Sequence, residues 1–281
     1  MGRKVRGRTI LYALLSAVLF AAFFLSPCFA GRTEKYPVQI VFFGDSVYGN
    51  IRDGSGIPDQ VGELLGKSVY NAAFGGTCTG RNRNDTSLDF SGDSLSLAAL
   101  TKAVYADDFG VQQTIQPQWD ITVYFQEAID GLERIDFSGV ETVLIGHGLN
   151  DYYGGIPLEG EDPLDEYTFA GALRRSLIYL QKTNPDMRIV LITPTYSWLL
   201  NTGQTCQEYN IGFGVLEDYI RKELEVAAEL DVEVIDLYHD LFPHEGWEDW
   251  QLYTTDGFHP NEAGRALLAG RIADYLEGET E

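Results

Sequence analysis

From residue 36 onward, short unbroken apolar runs alternate with stretches in which apolar positions recur every three or four residues. PVQIVFFG (37–44) is rich in β-branched and aromatic residues and closes on glycine, the mark of a buried strand. SVYNAA (68–73), VETVLIG (140–146), MRIVLITP (187–194) and VEVIDLY (232–238) repeat the pattern. Between them, GIPDQVGELLGK (56–67), SLSLAALTKAVYADD (94–108), DITVYFQEAIDGLERI (120–135), DEYTFAGALRRSLIYLQKT (165–183), QEYNIGFGVLEDYIRKELEVAAEL (207–230) and NEAGRALLAGRIADYLE (261–277) carry helical periodicity. Pro58 suits a first helical turn and Gly66 a helix end. Five apolar strands separated by helices predict a parallel sheet covered on both faces, because each crossover must return the chain to the same edge. No repeat, heptad run or long linker interrupts the pattern, so one α/β domain over 36–277 is expected.

The first thirty residues stand apart: Arg3, Lys4, Arg6 and Arg8 precede an almost wholly apolar run from Ile10 to Leu25. This is the pattern of an export signal, cleaved after SPCFA or retained as an N-terminal membrane anchor. The expected location is extracellular or at the cell surface. Removing the segment moves the formal charge from -22 to -26, since it carries four cations and no acid. So acidic a surface repels phosphate backbones and anionic lipid, which excludes nucleic acid as a partner and limits membrane contact to the N-terminal segment. With Cys28 in the signal, Cys78 and Cys206 remain as a pair that permits a disulfide or stands as two free thiols.

In a parallel sheet, ligands gather beyond the strand ends. Those ends read GDS (44–46), FGGT (74–77), GHGLND (146–151) and TPTYSW (193–198). Ser46 stands at the lip of the first strand, as a helix cap or as a nucleophile that needs a base, an orienting group and oxyanion donors. TTDGFHPNEAG (254–264) supplies the first two: three residues apart in a turn, Asp256 can hold the His259 Nδ1 and aim the other nitrogen at Ser46. Pro260 suits the first turn of the last helix. The backbone N–H groups of Ser46 and Gly76 and the Asn150 amide stand at strand ends as donors.

These blocks, GDS with Ser46, NAAFGGT with Gly76, GLND with Asn150 and DGFHP with Asp256 and His259, occur in the order found in SGNH hydrolases of the GDSL esterase and lipase group, which the chain resembles from Val41 to His259. The resemblance implies a three-layer α/β/α sandwich with a five-stranded, mostly parallel, flavodoxin-like sheet. It also implies no cofactor and hydrolysis of a carboxylic ester or thioester through an acyl-enzyme. Counting from Asn71 places the second block's glycine at Gly76, with Gly75 adjacent. Tyr48 fills the second glycine of a GxSxG elbow, which argues against the α/β-hydrolase fold.

The expected substrate is a small-molecule or glycan ester, first among them a short-chain or O-acetyl ester. A lipase, lysophospholipase or thioesterase is the rival enzyme, and a non-catalytic surface glycan-binding domain the rival of another class. His147, His239 and His244 lack the close spacing of a metal site, and EGEDPLDE lacks the alternation of a calcium loop, so no metal is expected. His147 reads as a packing or supporting residue. Tyr152, Tyr153, Tyr196 and Trp198 follow strand ends, where they stack against a substrate or pack the loops. Trp247 and Trp250 precede the Asp256 turn and can wall it.

Overall fold

Strands form where β-branched and aromatic runs leave no polar face. The structure, a computed structural model, describes residues 34–81, 91–115 and 126–278. The proposed export segment (1–30) and the first part of the expected helix 120–135 lie outside the described residues. In chain order the strands are β1 (Ile40–Gly44), β2 (Val69–Asn71), β3 (Thr142–Gly146), β4 (Arg188–Ile192), β5 (Trp198–Leu199), β6 (Gln204–Thr205) and β7 (Glu233–Ile235). Every residue of β1 and β3 is buried, as expected of strands covered on both faces. Five strands pair in the order β2-β1-β3-β4-β7, all parallel, while β5 and β6 form a separate antiparallel hairpin.

The helices are α1 (Ser46–Gly49), α2 (Ile57–Leu65), α3 (Ser91–Ser94), α4 (Leu97–Ala106), α5 (Gln126–Glu133), α6 (Leu149–Gly154), α7 (Phe169–Thr183), α8 (Leu216–Leu230), α9 (Trp250–Tyr253) and α10 (Glu262–Glu277). α2 packs with α10, while α4, α7 and α8 pack in succession. The result is the expected α/β/α sandwich. Local chemistry sets the helix limits: Thr168 Oγ1 accepts from Gly171 N–H at 3.2 Å, Asn261 Oδ1 accepts from Gly264 N–H at 3.0 Å, and Gly66 ends α2 in the left-handed region.

Three expectations change. The helix expected over 207–230 begins only at Leu216. Asn210 Oδ1 accepts from Gly212 and Gly214 N–H at 2.7 and 3.2 Å and folds 210–214 into a closed loop, with both glycines at positive φ. Pro260 lies before the last helix rather than in it, because Asn261 is the cap and Thr254 bridges to Pro260. The hairpin β5–β6, around Asn201-Thr202-Gly203, was signalled only by that turn sequence between two very short runs.

Sheet order places chemistry at one point. The chain leaves β1 first to one side, for β2, and then to the other, for β3, so the crevice beyond β1 and β3 is where the connections diverge. Gly44 and Gly146 face each other in register there. Both lack a Cβ for the same reason: the Tyr48 ring lies over them, with its Cδ2 2.8 Å from where a Gly44 Cβ would stand, and a Gly146 Cβ would clash with its Cε2. Gly49 likewise presses on the Ala73 carbonyl, 2.7 Å from its absent Cβ, and Asn71 Nδ2 donates to the Tyr48 carbonyl at 2.9 Å. α1 is thereby seated on the strand ends with Ser46 at its start.

Gly146→Ala is expected to destabilise the protein by roughly 1–3 kcal/mol through overpacking against a buried ring. Gly139→Ala, whose Cβ meets nothing within 4 Å, should change stability little. Urea denaturation checks both, and equal midpoints for the two variants would contradict this account of the seat.

Candidate active site

Ser46 opens α1 because the preceding residue is extended and caps it: Asp45 Oδ1 accepts from Val47 N–H at 2.9 Å. As the first helical residue, Ser46 has an N–H without an intrahelical acceptor. Its side chain stays partly exposed, while Asp45 is buried and Tyr48 anchors the turn. Burial pushes the Asp45 carboxyl up to about 7, against the hydrogen bond from Val47 and aided by the charge of Asp151.

The closing loop brings its histidine back across 213 residues of sequence. His259 Nε2 lies 2.8 Å from Ser46 Oγ, and His259 Nδ1 lies 2.7 Å from Asp256 Oδ2. The other Asp256 oxygen accepts the His259 backbone N–H at 2.8 Å and that of Phe258 at 3.3 Å. Partial burial raises the Asp256 carboxyl, but the bonds and charge from His259 outweigh it and hold the group below the usual carboxylate range. An ionised carboxylate on Nδ1 keeps the proton there and leaves the Nε2 lone pair toward Ser46.

The loop is closed on itself and clamped from outside. Thr255 N–H donates to the His259 carbonyl at 2.8 Å, and Gly257 N–H to Thr254 Oγ1 at 3.0 Å. Trp198 N–H, in β5, donates to the Gly257 carbonyl at 2.9 Å. Gly257 has φ 97°, a left-handed value, and any Cβ there would strike the Trp198 carbonyl. The hairpin missed in the sequence is thus what holds this turn.

The two remaining blocks lock together. Asn150, in the first turn of α6, donates from Nδ2 to the Thr77 carbonyl at 2.9 Å, which leaves its second amide hydrogen for another acceptor. Asp151 accepts Thr79 N–H at 2.7 Å and Gly80 N–H at 3.0 Å. Burial raises its carboxyl to about 6 despite these bonds. Gly76, φ 76°, lies in the loop so held, immediately before Thr77. Of the two adjacent glycines only Gly76 has positive φ.

His147 is buried and neutral, since burial lowers it to about 3. Thr77 Oγ1 donates to the Phe74 carbonyl at 2.7 Å, so its 3.4 Å contact with His147 Nε2 places the imidazole proton on Nε2. It packs against Thr77, in the second block, although in sequence it directly precedes the third. Tyr152, Tyr196 and Trp198 are core residues: Tyr152 OH donates to the Tyr209 carbonyl at 2.9 Å, and Tyr196 stacks on His244 at 4.2 Å. Tyr153 meets the histidine loop through its ring, 5.6 Å from that of Phe258. Trp250 is partly exposed, and its carbonyl accepts Thr254 N–H at 3.0 Å.

Of the two readings left open for the cysteines, the structure holds the free thiols: Cys78 and Cys206 are not bonded to each other. Cys206 Sγ is enclosed, accepting Ser197 N–H at 3.4 Å with Tyr238 OH at 3.9 Å, whereas Cys78 lies beside Gly154 and Asp151. His239 pairs with Asp236 at 2.6 Å and His244 Nδ1 with the Phe242 carbonyl at 2.9 Å. Among the described residues no group of three or more His, Cys, Asp or Glu is placed to hold a metal ion, and no helix is long and apolar enough to cross a membrane.

The chain matches the GDSL-like Lipase/Acylhydrolase family over residues 42–267. No curated protein matches it in sequence. Among solved structures it is similar to a protein from Lactobacillus plantarum (19% identity, TM-score 0.61, covering 87% of this chain and 98% of that one). It is also similar to a "possible lipase" from Chitinophaga pinensis (17%, 0.54, 86% and 98%) and to Est24, a carbohydrate acetylesterase from Sinorhizobium meliloti (15%, 0.52, 86% and 100%). At such identities these likenesses speak to the fold.

The buried Asp45 generates a pH test. Its folded value near 7 exceeds the 3.8 of a free carboxyl, so between these values the folded state holds the extra proton and loses stability as pH rises. Asp45→Asn keeps an acceptor for Val47 and removes this slope. It is expected to melt with the wild type near pH 4 and above it by roughly 5 °C or more at pH 8. Calorimetry across that range decides, and a pH-independent offset would contradict the assignment.

Proposed function

The chain belongs to the GDSL-like lipase/acylhydrolase family and is a carboxylic ester hydrolase; on that premise we propose that Ser46, His259 and Asp256 carry the reaction in an exported enzyme. The observation that carries this reading is the continuous relay from Asp256 Oδ2 through His259 to Ser46 Oγ, with contacts of 2.7 and 2.8 Å. Export rests on the cationic, then apolar, first thirty residues.

In the first half-reaction Ser46 Oγ attacks the ester carbonyl carbon while His259 Nε2 takes the hydroxyl proton. The carbonyl π pair moves to oxygen, where Ser46 N–H, Gly76 N–H and the free Asn150 amide hydrogen receive the charge. Collapse expels the alcohol as His259 returns the proton to it, leaving an acyl-serine. Water, deprotonated by the same imidazole, then releases the carboxylic acid and restores Ser46. Asp256 stays ionised throughout and balances the imidazolium.

The substrate reading is an uncharged ester outside the cell, such as a short acyl group on a glycan. It is supported by the formal charge of -22, which disfavours anionic carriers, and by analogy with a carbohydrate acetylesterase of the same fold.

An active-site phosphonate is expected to label the wild type and not Ser46→Ala; unlabelled, folded wild-type protein would refute the serine mechanism. Asn150→Ala is expected to lower kcat by roughly 100-fold or more if its amide meets the oxyanion. Steady-state rates on a phenyl ester measure this, and unchanged turnover would remove Asn150 from the site.

A further inference from the structure

One feature of the catalytic face has no part in the relay. Phe258, next to the histidine, has its ring 4.5 Å from that of His259 and 5.6 Å from that of Tyr153. Tyr153 continues to Tyr209 at 6.4 Å. Beyond Tyr209, the loop closed by Asn210 presents Ile211 and Phe213 to solvent, each 43% exposed. Both lie over Gly155, at the end of α6: a Cβ there would stand 2.7 Å from Ile211 Cδ1 and 3.7 Å from Phe213 Cδ2. On the other flank, Leu200 of the hairpin turn lies 3.4 Å from where a Gly257 Cβ would be, and is 38% exposed.

These six side chains carry no charge. Their polar neighbours are turned away: Tyr153 OH bonds Ser197 Oγ at 3.2 Å, Glu208 folds back onto Thr205 N–H and Oγ1 at 2.8 and 3.1 Å, and Asn210 Oδ1 is occupied by its own loop. Exposed apolar residues scattered singly mean little, but a connected set beside a reactive group, on a loop held in place by its own hydrogen bonds, is a contact surface ready before any ligand arrives.

The mechanism says which half of an ester meets it. The carbonyl oxygen must face the donors of Ser46, Gly76 and Asn150, while the leaving oxygen must face His259 Nε2 to receive its proton. The surface begins at Phe258, against the imidazole, so its near end adjoins the leaving alcohol. Resting on the serine-esterase reading above, we infer that Phe258, Tyr153 and Tyr209, extended by Ile211 and Phe213, form a subsite for the leaving alcohol and select alcohols that present a flat, uncharged ring face. An arene offers such a face, and so do the C–H groups of a pyranose. Both stack on aromatic rings without needing a cation or an acid from the protein.

The double variant Ile211→Ser/Phe213→Ser and, separately, Tyr209→Leu test this on four substrates: benzyl acetate, ethyl acetate, ethyl hexanoate and a methyl xylopyranoside monoacetate. kcat/KM for benzyl acetate is expected to fall about tenfold, with ethyl acetate changed by less than about twofold and the hexanoate-to-acetate ratio unmoved. A parallel fall on the xyloside acetate assigns the ring to a sugar; a fall on benzyl acetate alone assigns it to an arene. An unchanged benzyl-to-ethyl ratio overturns the subsite, and a shift confined to the hexanoate overturns its placement on the alcohol side. If the wild type neither hydrolyses these esters nor takes a phosphonate label, the serine-esterase reading fails instead.

Discussion

The site depends on how closely one ring can approach two backbones. Tyr48 lies over the register pair Gly44 and Gly146, and only because neither has a side chain does α1 come down onto the ends of β1 and β3. Contact at that distance leaves the four-residue helix little freedom to tilt, since interiors are packed densely enough to transmit a displacement of a methyl group. Ser46, two residues before Tyr48, takes its position from this seat. The partners that reach it from β3 and from the distant C-terminal loop meet a fixed atom, not a mobile one.

Around the seat, carboxylates do the holding, and at different electrostatic cost. Asp151 and Asp45 are buried among backbone N–H groups, and their values near 6 and 7 mean that the fold bears a penalty when both ionise. Asp256, half open to solvent and bonded to an imidazole and two N–H groups, is depressed instead. Three acids of one type therefore divide by environment: two brace loops, and one, bonded to His259, keeps its charge at neutral pH. The separation follows from burial weighed against the number and kind of donors.

Much of this was legible in the sequence because it is local. Strand runs were visible in VFFG and VLIG, and the acid–histidine pair in a three-residue spacing that a turn can close. What escaped was set by contacts between distant residues. Nothing around Trp198 announces that its backbone clamps Gly257, and only Asn201-Thr202-Gly203 hints at the hairpin that does so. The start of α8 was misplaced because the 207–230 periodicity is real, but Asn210 and two glycines settle its first third into a loop. The cysteine pair stayed open for a related reason: an even count says nothing of where thiols point, and Cys206 points into Ser197 and Tyr238.

The misplaced helix and the missed hairpin bear on the same question. Both are departures from the alternating strand–helix frame, and both lead to the histidine loop: one carries Ile211 and Phe213, next to Tyr209, whose ring continues through Tyr153 to Phe258, and the other carries Leu200 and the Trp198 clamp on Gly257. On the proposed serine mechanism the frame itself positions nucleophile, base and donors, which any ester would require. Loops grafted on that frame decide what else the substrate touches, since they vary without disturbing the strand ends. Local sequence chemistry failed where the chain leaves its regular pattern to build a surface, and a surface beside the general base is where selection among alcohols can act without altering the relay.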